Sequence, residues 1–106
     1  MRSIEFRLKQ LRFRDEGYVT DESGTSWNVF RRNGRRYVMA YYGIDVNISY
    51  REAMAILKTS LALSMQAIDK MILIHHQPIS ETSKELLLDP PIICIQMDNL
   101  DRLSRV

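Results

Sequence analysis

Apolar positions along this chain change spacing several times, and each change marks a new element. Ile4, Leu8 and Leu11 recur at helical spacing, with Phe6 and Phe13 adding apolar area. This predicts a helix over residues 2–14, ended by Gly17. Gly17 to Thr20 (GYVT) begins a strand, and Asp21 to Thr25 (DESGT) is a polar turn segment. Trp27–Arg32 and Arg35–Tyr42 form two further strands around Asn33-Gly34. That dipeptide is a strong hairpin signal, because a type I′ turn needs positive φ at both central residues. After a loop at 43–47, Ser49 and Glu52 stand at capping-box spacing ahead of a long helix, Tyr50 to Ile68.

On that helix Met54, Leu57, Leu61 and Ile68 make one stripe, while Ile56 and Leu63 lie off it. A helix apolar over much of its circumference is covered on two sides. One cover is the sheet. The other is a second copy of the chain, with Ala53, Ser60, Ala62, Ser64 and Ala67 letting a partner helix approach about a twofold axis. The alternative is a monomer in which the chain's own terminal helices cover this face.

Met71 to His75 (MILIH) is almost continuously apolar, as a strand covered on both faces requires. Gln77-Pro78 ends it. Ser80 can cap a helix over 81–88 that Pro90-Pro91 closes off. Ile92 to Ile95 (IICI) is a second buried strand, and Asp98 can cap a last short helix holding Leu100 and Leu103. The order is α-β-β-β-α-β-α-β-α. The front is an antiparallel meander and the rear a parallel crossover unit. The expected class is therefore α/β, a single domain over 1–106 with a mixed sheet of about five strands flanked by helices on both faces.

The chain's 106 residues, 45% hydrophobic and 26% charged, suit an ordinary globular domain rather than disorder. Cys94 is the only cysteine, which rules out an internal disulfide and a cysteine-rich zinc site and favours a cytoplasmic protein. No apolar run approaches the roughly 18 residues that cross a membrane. The charge is uneven. Residues 1–40 hold nine basic and five acidic groups, and residues 41–106 hold six and eight. Such a basic front half can face phosphates, or can simply solvate a helix and a turn.

Other chemistry has less support. His75-His76 sits at a strand end, where neighbours point to opposite faces, so the pair cannot supply the three or four converging ligands of a zinc site. Ser80, Thr82 and Ser83 lack an orienting third group. Cys94 reads as a small buried hydrophobe. Trp27, Tyr37, Tyr41, Tyr42 and Tyr50 are either core filler or, beside Arg31, Arg32, Arg35 and Arg36, a surface for stacking on bases and contacting phosphates.

The order of elements with these residues resembles the Mrr-type branch of the restriction-endonuclease-like superfamily, whose site carries the PD-(D/E)XK motif. The resemblance spans nearly the whole chain. It rests on the opening helix with Gly17-Tyr18, the Gly24–Tyr42 hairpin with its polar RNGRRY turn, MILIHHQPISETSKELL, and the closing IICIQMDNLDRL. In that family the first hairpin strand bears an Asp, and the second a Glu or Gln, one residue, then a Lys. The acids hold a divalent cation and the Lys assists the attacking water. Here the corresponding positions are Trp27, Ala40 and Tyr42. Alanine offers no ligand, and neutral tyrosine is neither a cation nor a usual hard-metal ligand. Slipping the register by one residue recovers nothing. The resemblance also allows an acid to move to the following helix, where Glu52 stands, although Glu52 is already explained as a helix cap. Asp21 and Asp45 suit turns, and Glu22 lies inside a polar turn with no role beyond solvation.

The resemblance thus implies a degenerate nuclease-like domain without catalytic residues, metal or cofactor. The leading expectation is binding to DNA or RNA, or regulation of a nucleic-acid-processing complex, through Arg31, Arg32, Arg35, Arg36, Arg12 and Arg14. The alternatives are a protein-protein interaction module using its long helix, as an inhibitor or assembly subunit, and a nuclease with relocated ligands. A homodimer through the 50–68 helix also suits a fold whose nucleases often work in pairs.

Overall fold

The computed structural model describes residues 2–20, 26–64, 67–87 and 92–106. Helix α1 (Arg2–Gln10) leads into strands β1 (Arg14–Thr20), β2 (Ser26–Arg32) and β3 (Arg35–Tyr41). Helix α2 (Tyr50–Ser64), strand β4 (Lys70–His75), helix α3 (Glu81–Leu86) and strand β5 (Ile93–Gln96) follow, and a 3₁₀ segment, Met97–Arg105, comes last. The five strands lie in sequence order in one open sheet. β1/β2 and β2/β3 are antiparallel, while β3/β4 and β4/β5 are parallel. The expected meander, crossover and mixed α/β class are therefore present.

Each face of the sheet has its own core. On one face Trp27, Val29, Val38, Ala40, Met71 and Leu73 pack with Ala53, Ile56 and Leu63 of α2 and with Leu87 after α3. On the other, Phe30, Tyr37, Met39, Ile72, Ile74 and Ile95 pack with Ile4 and Leu8 of α1 and Leu103 of the 3₁₀ segment. Met71 to His75 are buried throughout, as a strand covered on both faces should be. Asn33 and Gly34 take φ of 54° and 78°, the two positive angles expected of the hairpin turn.

Several boundaries depart from expectation. Helix α1 stops at Gln10 rather than near residue 14, because Arg12 adopts φ 67°. The Phe13 amide then reaches Leu8 O at 2.9 Å and the Arg12 amide reaches Lys9 O at 3.0 Å. This is a Schellman ending with arginine where glycine is usual. Gly17, expected to end the helix, instead lies inside β1 at φ 102°. There the β1/β2 register shifts between Asp15 and Tyr18, a β-bulge. At the other end, Ala67 at φ 59° breaks the expected helix before Ile68. The 3₁₀ segment takes Gln96 as its N-cap, without a side-chain cap bond, and leaves Asp98 inside it. Ser80 does cap α3, its hydroxyl accepting from the Ser83 amide at 3.3 Å. The DESGT turn, Met65, Leu88 and Pro90-Pro91 lie outside the described residues.

The largest correction concerns α2. Its buried residues are Ala53, Ile56, Thr59, Ser60 and Leu63, whereas Leu61 is 54% exposed and Met54 and Leu57 are half-buried. The helix packs through the stripe with the smaller side chains. Ala53 and Ser60 allow close approach to the sheet, and the two hydroxyls are satisfied within the helix. Ser60 Oγ donates to Leu57 O at 2.7 Å and Thr59 Oγ1 to Ala55 O at 3.0 Å.

Candidate nucleic-acid interface

Trp27 and Ala40, the positions where the resemblance would look for metal ligands, belong to the core. Val19 pairs with Trp27, and Asn28 pairs with Met39. Carried one residue further, that register sets Trp27 against Ala40. Trp27 is fully buried and Ala40 nearly so, under Ile48, Ala53 and Ile56, with Tyr42 packed at the margin. Glu52 lies half-buried at the start of α2, its amide donating to Ser49 Oγ at 3.2 Å. Asp45 is exposed in a turn, and Asp21 and Glu22 fall outside the described residues. Among the described residues, no three His, Cys, Asp or Glu side chains are grouped to hold a metal ion.

The basic residues divide by strand face. Arg14 pairs with Arg31, and Arg31 with Arg36, so three guanidinium groups form a row across β1, β2 and β3. Alternation along each strand places this row on the same face as Val29 and Val38. The bulge adds Glu16 to that face. Its carboxylate accepts from Arg31 Nε at 2.9 Å and sits 3.7 Å from Arg36 Nε. With these side chains 28–42% exposed, the pairing contributes about 0–1 kcal/mol to stability. Asp69 Oδ2 accepts from the Arg36 amide at 2.8 Å and holds the start of β4 beside β3. Arg35 pairs with Arg32 and so falls on the other face from this row, and Arg12 is exposed ahead of β1.

Arg32 points to the opposite face and is used internally. Its guanidinium lies 4.1 Å from the centre of the Phe13 ring and 5.6 Å from that of Tyr37. Nη1 donates to Leu103 O at 3.4 Å, and Nη2 donates to the backbone oxygen of Val106. Arg32 thereby ties the closing 3₁₀ segment to the sheet, and we drop it from the phosphate-facing set.

The aromatic residues do not join the arginines in one surface. Trp27 and Tyr37 are core, Tyr37 meeting Phe13 edge-to-face at 5.2 Å. Tyr41 lies five residues along β3 from Arg36, roughly 16 Å at strand rise. There its hydroxyl meets His76 Nε2 at 2.7 Å. His75 is buried, with Nδ1 at 2.7 Å from Gln77 O. The two histidines have separate partners, as expected of strand neighbours. Cys94 is half-buried, and burial raises its thiol pKa against the opposing pull of Lys84 and Arg102. Ser80 and Ser83 bond to each other at 3.1 Å as part of the α3 cap. Glu16 is the residue of this site that sequence reasoning missed. Only the bulge, invisible in the pattern, turns it towards the arginines. No helix of the described residues is long and apolar enough to cross a membrane.

No family model matches this chain, and no curated protein does. Among solved structures it is similar to the crystal structure of AF1548, a protein of unknown function, with a TM-score of 0.68 and 17% identity. The match covers 94% of this chain and 58% of AF1548, so this chain spans less than two thirds of that protein. At this identity the likeness concerns the fold alone.

Proposed function

We propose that this is a non-catalytic, restriction-endonuclease-like domain that binds DNA or RNA, or regulates a nucleic-acid-processing complex, in the cytoplasm. The observation that carries this reading is the Arg14–Arg31–Arg36 row. A row of cations across three strands suits a phosphate backbone and carries no means of reading bases, so binding is sequence-tolerant. The buried Trp27–Ala40 pair supports the absence of catalysis, and we expect no Mg²⁺- or Mn²⁺-dependent cleavage. Cleavage that survives purification and disappears in Glu52→Ala would replace this reading with a relocated active site.

Three phosphate contacts, from Arg14, Arg31 and Arg36, should give a log-log salt slope of roughly −2.5 to −3 on duplex DNA. Fluorescence anisotropy across a salt series measures it. A folded variant with all three changed to Ala that binds as well as the parent would refute the assignment.

A second reading is favoured by the outer face of α2. Tyr50 and Leu61 are 53% and 54% exposed, and Met54 and Leu57 lie between them in one row. This supports a homodimer or a protein partner on the outward stripe. Light scattering at micromolar concentration should give a dimeric mass, and Leu61→Glu should reduce it to the monomer. A monomeric mass for the parent, unchanged on dilution, removes the dimer.

A further inference from the structure

We propose that the Glu16 carboxylate is a built-in occupant of a phosphate site formed by Arg31 and Arg36, and that a nucleic-acid backbone displaces it on binding. The inference rests on the nucleic-acid reading above and adds a regulatory element to it. A carboxylate and a phosphodiester present the same chemistry to guanidinium groups, two acceptor oxygens sharing one negative charge. Glu16 directs Oε2 to Arg31 and Oε1 to Arg36, spanning the pair as the two free oxygens of a backbone phosphate would. The hold is loose. One contact is a single hydrogen bond at 2.9 Å, and the other, at 3.7 Å, is beyond hydrogen-bonding reach. A strong arginine–carboxylate pair is instead a parallel two-bond fork.

The backbone is arranged for this placement. The β-bulge sets Glu16 and Gly17 opposite Val29, and Asp15 Oδ1 accepts from the Gly17 amide at 2.8 Å. Gly17 at φ 102° makes the bulge possible without a strained side chain. Counted from the Val19–Trp27 pair, a ladder without the bulge would set Asp15 opposite Arg31 and turn Glu16 to the other face. Arg14 stands next in the same row by its pairing with Arg31, so three arginines share this face with Glu16. Asp69 has one oxygen engaged by the Arg36 backbone. Because the Glu16 side chain is 28% exposed, it can swing away without opening the core.

The test compares the parent chain with Glu16→Gln and Glu16→Ala on one 20-base-pair duplex over a salt series. Losing the internal anion should add about one phosphate contact, steepening the log-log slope by about 0.9 and tightening binding about eightfold at 0.1 M salt. Adding Arg31→Gln to either variant should cancel the gain. If the parent binds with a salt slope and both Glu16 variants match it, Glu16 is only a surface ion pair. The inference then falls while the nucleic-acid reading stands. If none of the proteins binds the duplex, that reading falls, and a titration with inorganic phosphate decides the site. Movement of the Arg31 and Arg36 Nε–H NMR signals at lower phosphate in Glu16→Ala than in the parent would sustain the displaced-anion site. Signals that do not move in either protein would overturn it.

Discussion

Rebuilding the nuclease signature by Trp27→Asp, Ala40→Glu and Tyr42→Lys together is expected to unfold the chain rather than produce a metal-dependent nuclease. Trp27 is fully buried and touches the cluster that joins the sheet to α2. Truncating a buried tryptophan costs about 3–5 kcal/mol through lost transfer energy and the cavity left behind. The new carboxylates, placed where Trp27 and Ala40 are excluded from water, add an effective desolvation cost of several kcal/mol each. A metal ion could offset part of this only after the cleft had opened. A domain of this size holds a total stability of about 5–15 kcal/mol. The combined penalty therefore reaches or exceeds the whole. Trp27→Phe, which keeps the position apolar and aromatic, should retain a cooperative melt, while the triple variant should show none by circular dichroism. A triple variant that melts cooperatively and cleaves DNA with Mg²⁺ would show that Trp27 and Ala40 line a latent cleft rather than a closed core.

The fold was legible where a local rule and the global arrangement agree. Asn33-Gly34 turned as its backbone preference demands, MILIH became a strand buried on both faces, and Ser80 capped α3. The readings that failed share one physical cause: several residues satisfied more than one local rule, and tertiary packing chose between them. Gly17 can end a helix or make a bulge, and Arg12 took the left-handed position that glycine was expected to fill. On α2 the sequence left open which stripe meets the sheet. The sheet chose the stripe holding Ala53 and Ser60, because small residues bring the helix axis closer. The arginines were visible as a charged turn, but their division between faces depends on pairing. Arg31 and Arg36 share one side, and Arg32, their neighbour in sequence, is used on the other. Glu16 could not be found without the register of the bulge.

Arg32 provides a sharp test of that division, because it should affect stability and leave the electrostatics of binding unchanged. Arg32→Ala removes charge-assisted bonds to Leu103 O and Val106 O and the contact with the Phe13 ring. Hydrogen bonds to charged groups contribute about 1.5–3 kcal/mol and a partly buried cation–π contact about 0.5–2 kcal/mol. Arg32 is half-buried, so solvent screens part of this, and a loss of about 2–3 kcal/mol is expected. At about 4–8 °C per kcal/mol, Tm should fall by roughly 10–20 °C. Arg32→Lys should recover little, because an ammonium lacks the planar fork that reaches two carbonyls while covering a ring. Arg14→Ala, exposed at the start of β1, should change stability by less than about 0.5 kcal/mol. The salt slope on duplex DNA should reverse the ranking. Arg14→Ala should flatten it by about 0.9, and Arg32→Ala, measured below its lowered Tm, should leave it unchanged. If Arg32→Ala instead flattened the slope with Tm intact, Arg32 would belong to the phosphate-facing surface and the internal anchoring of the 3₁₀ segment would be refuted.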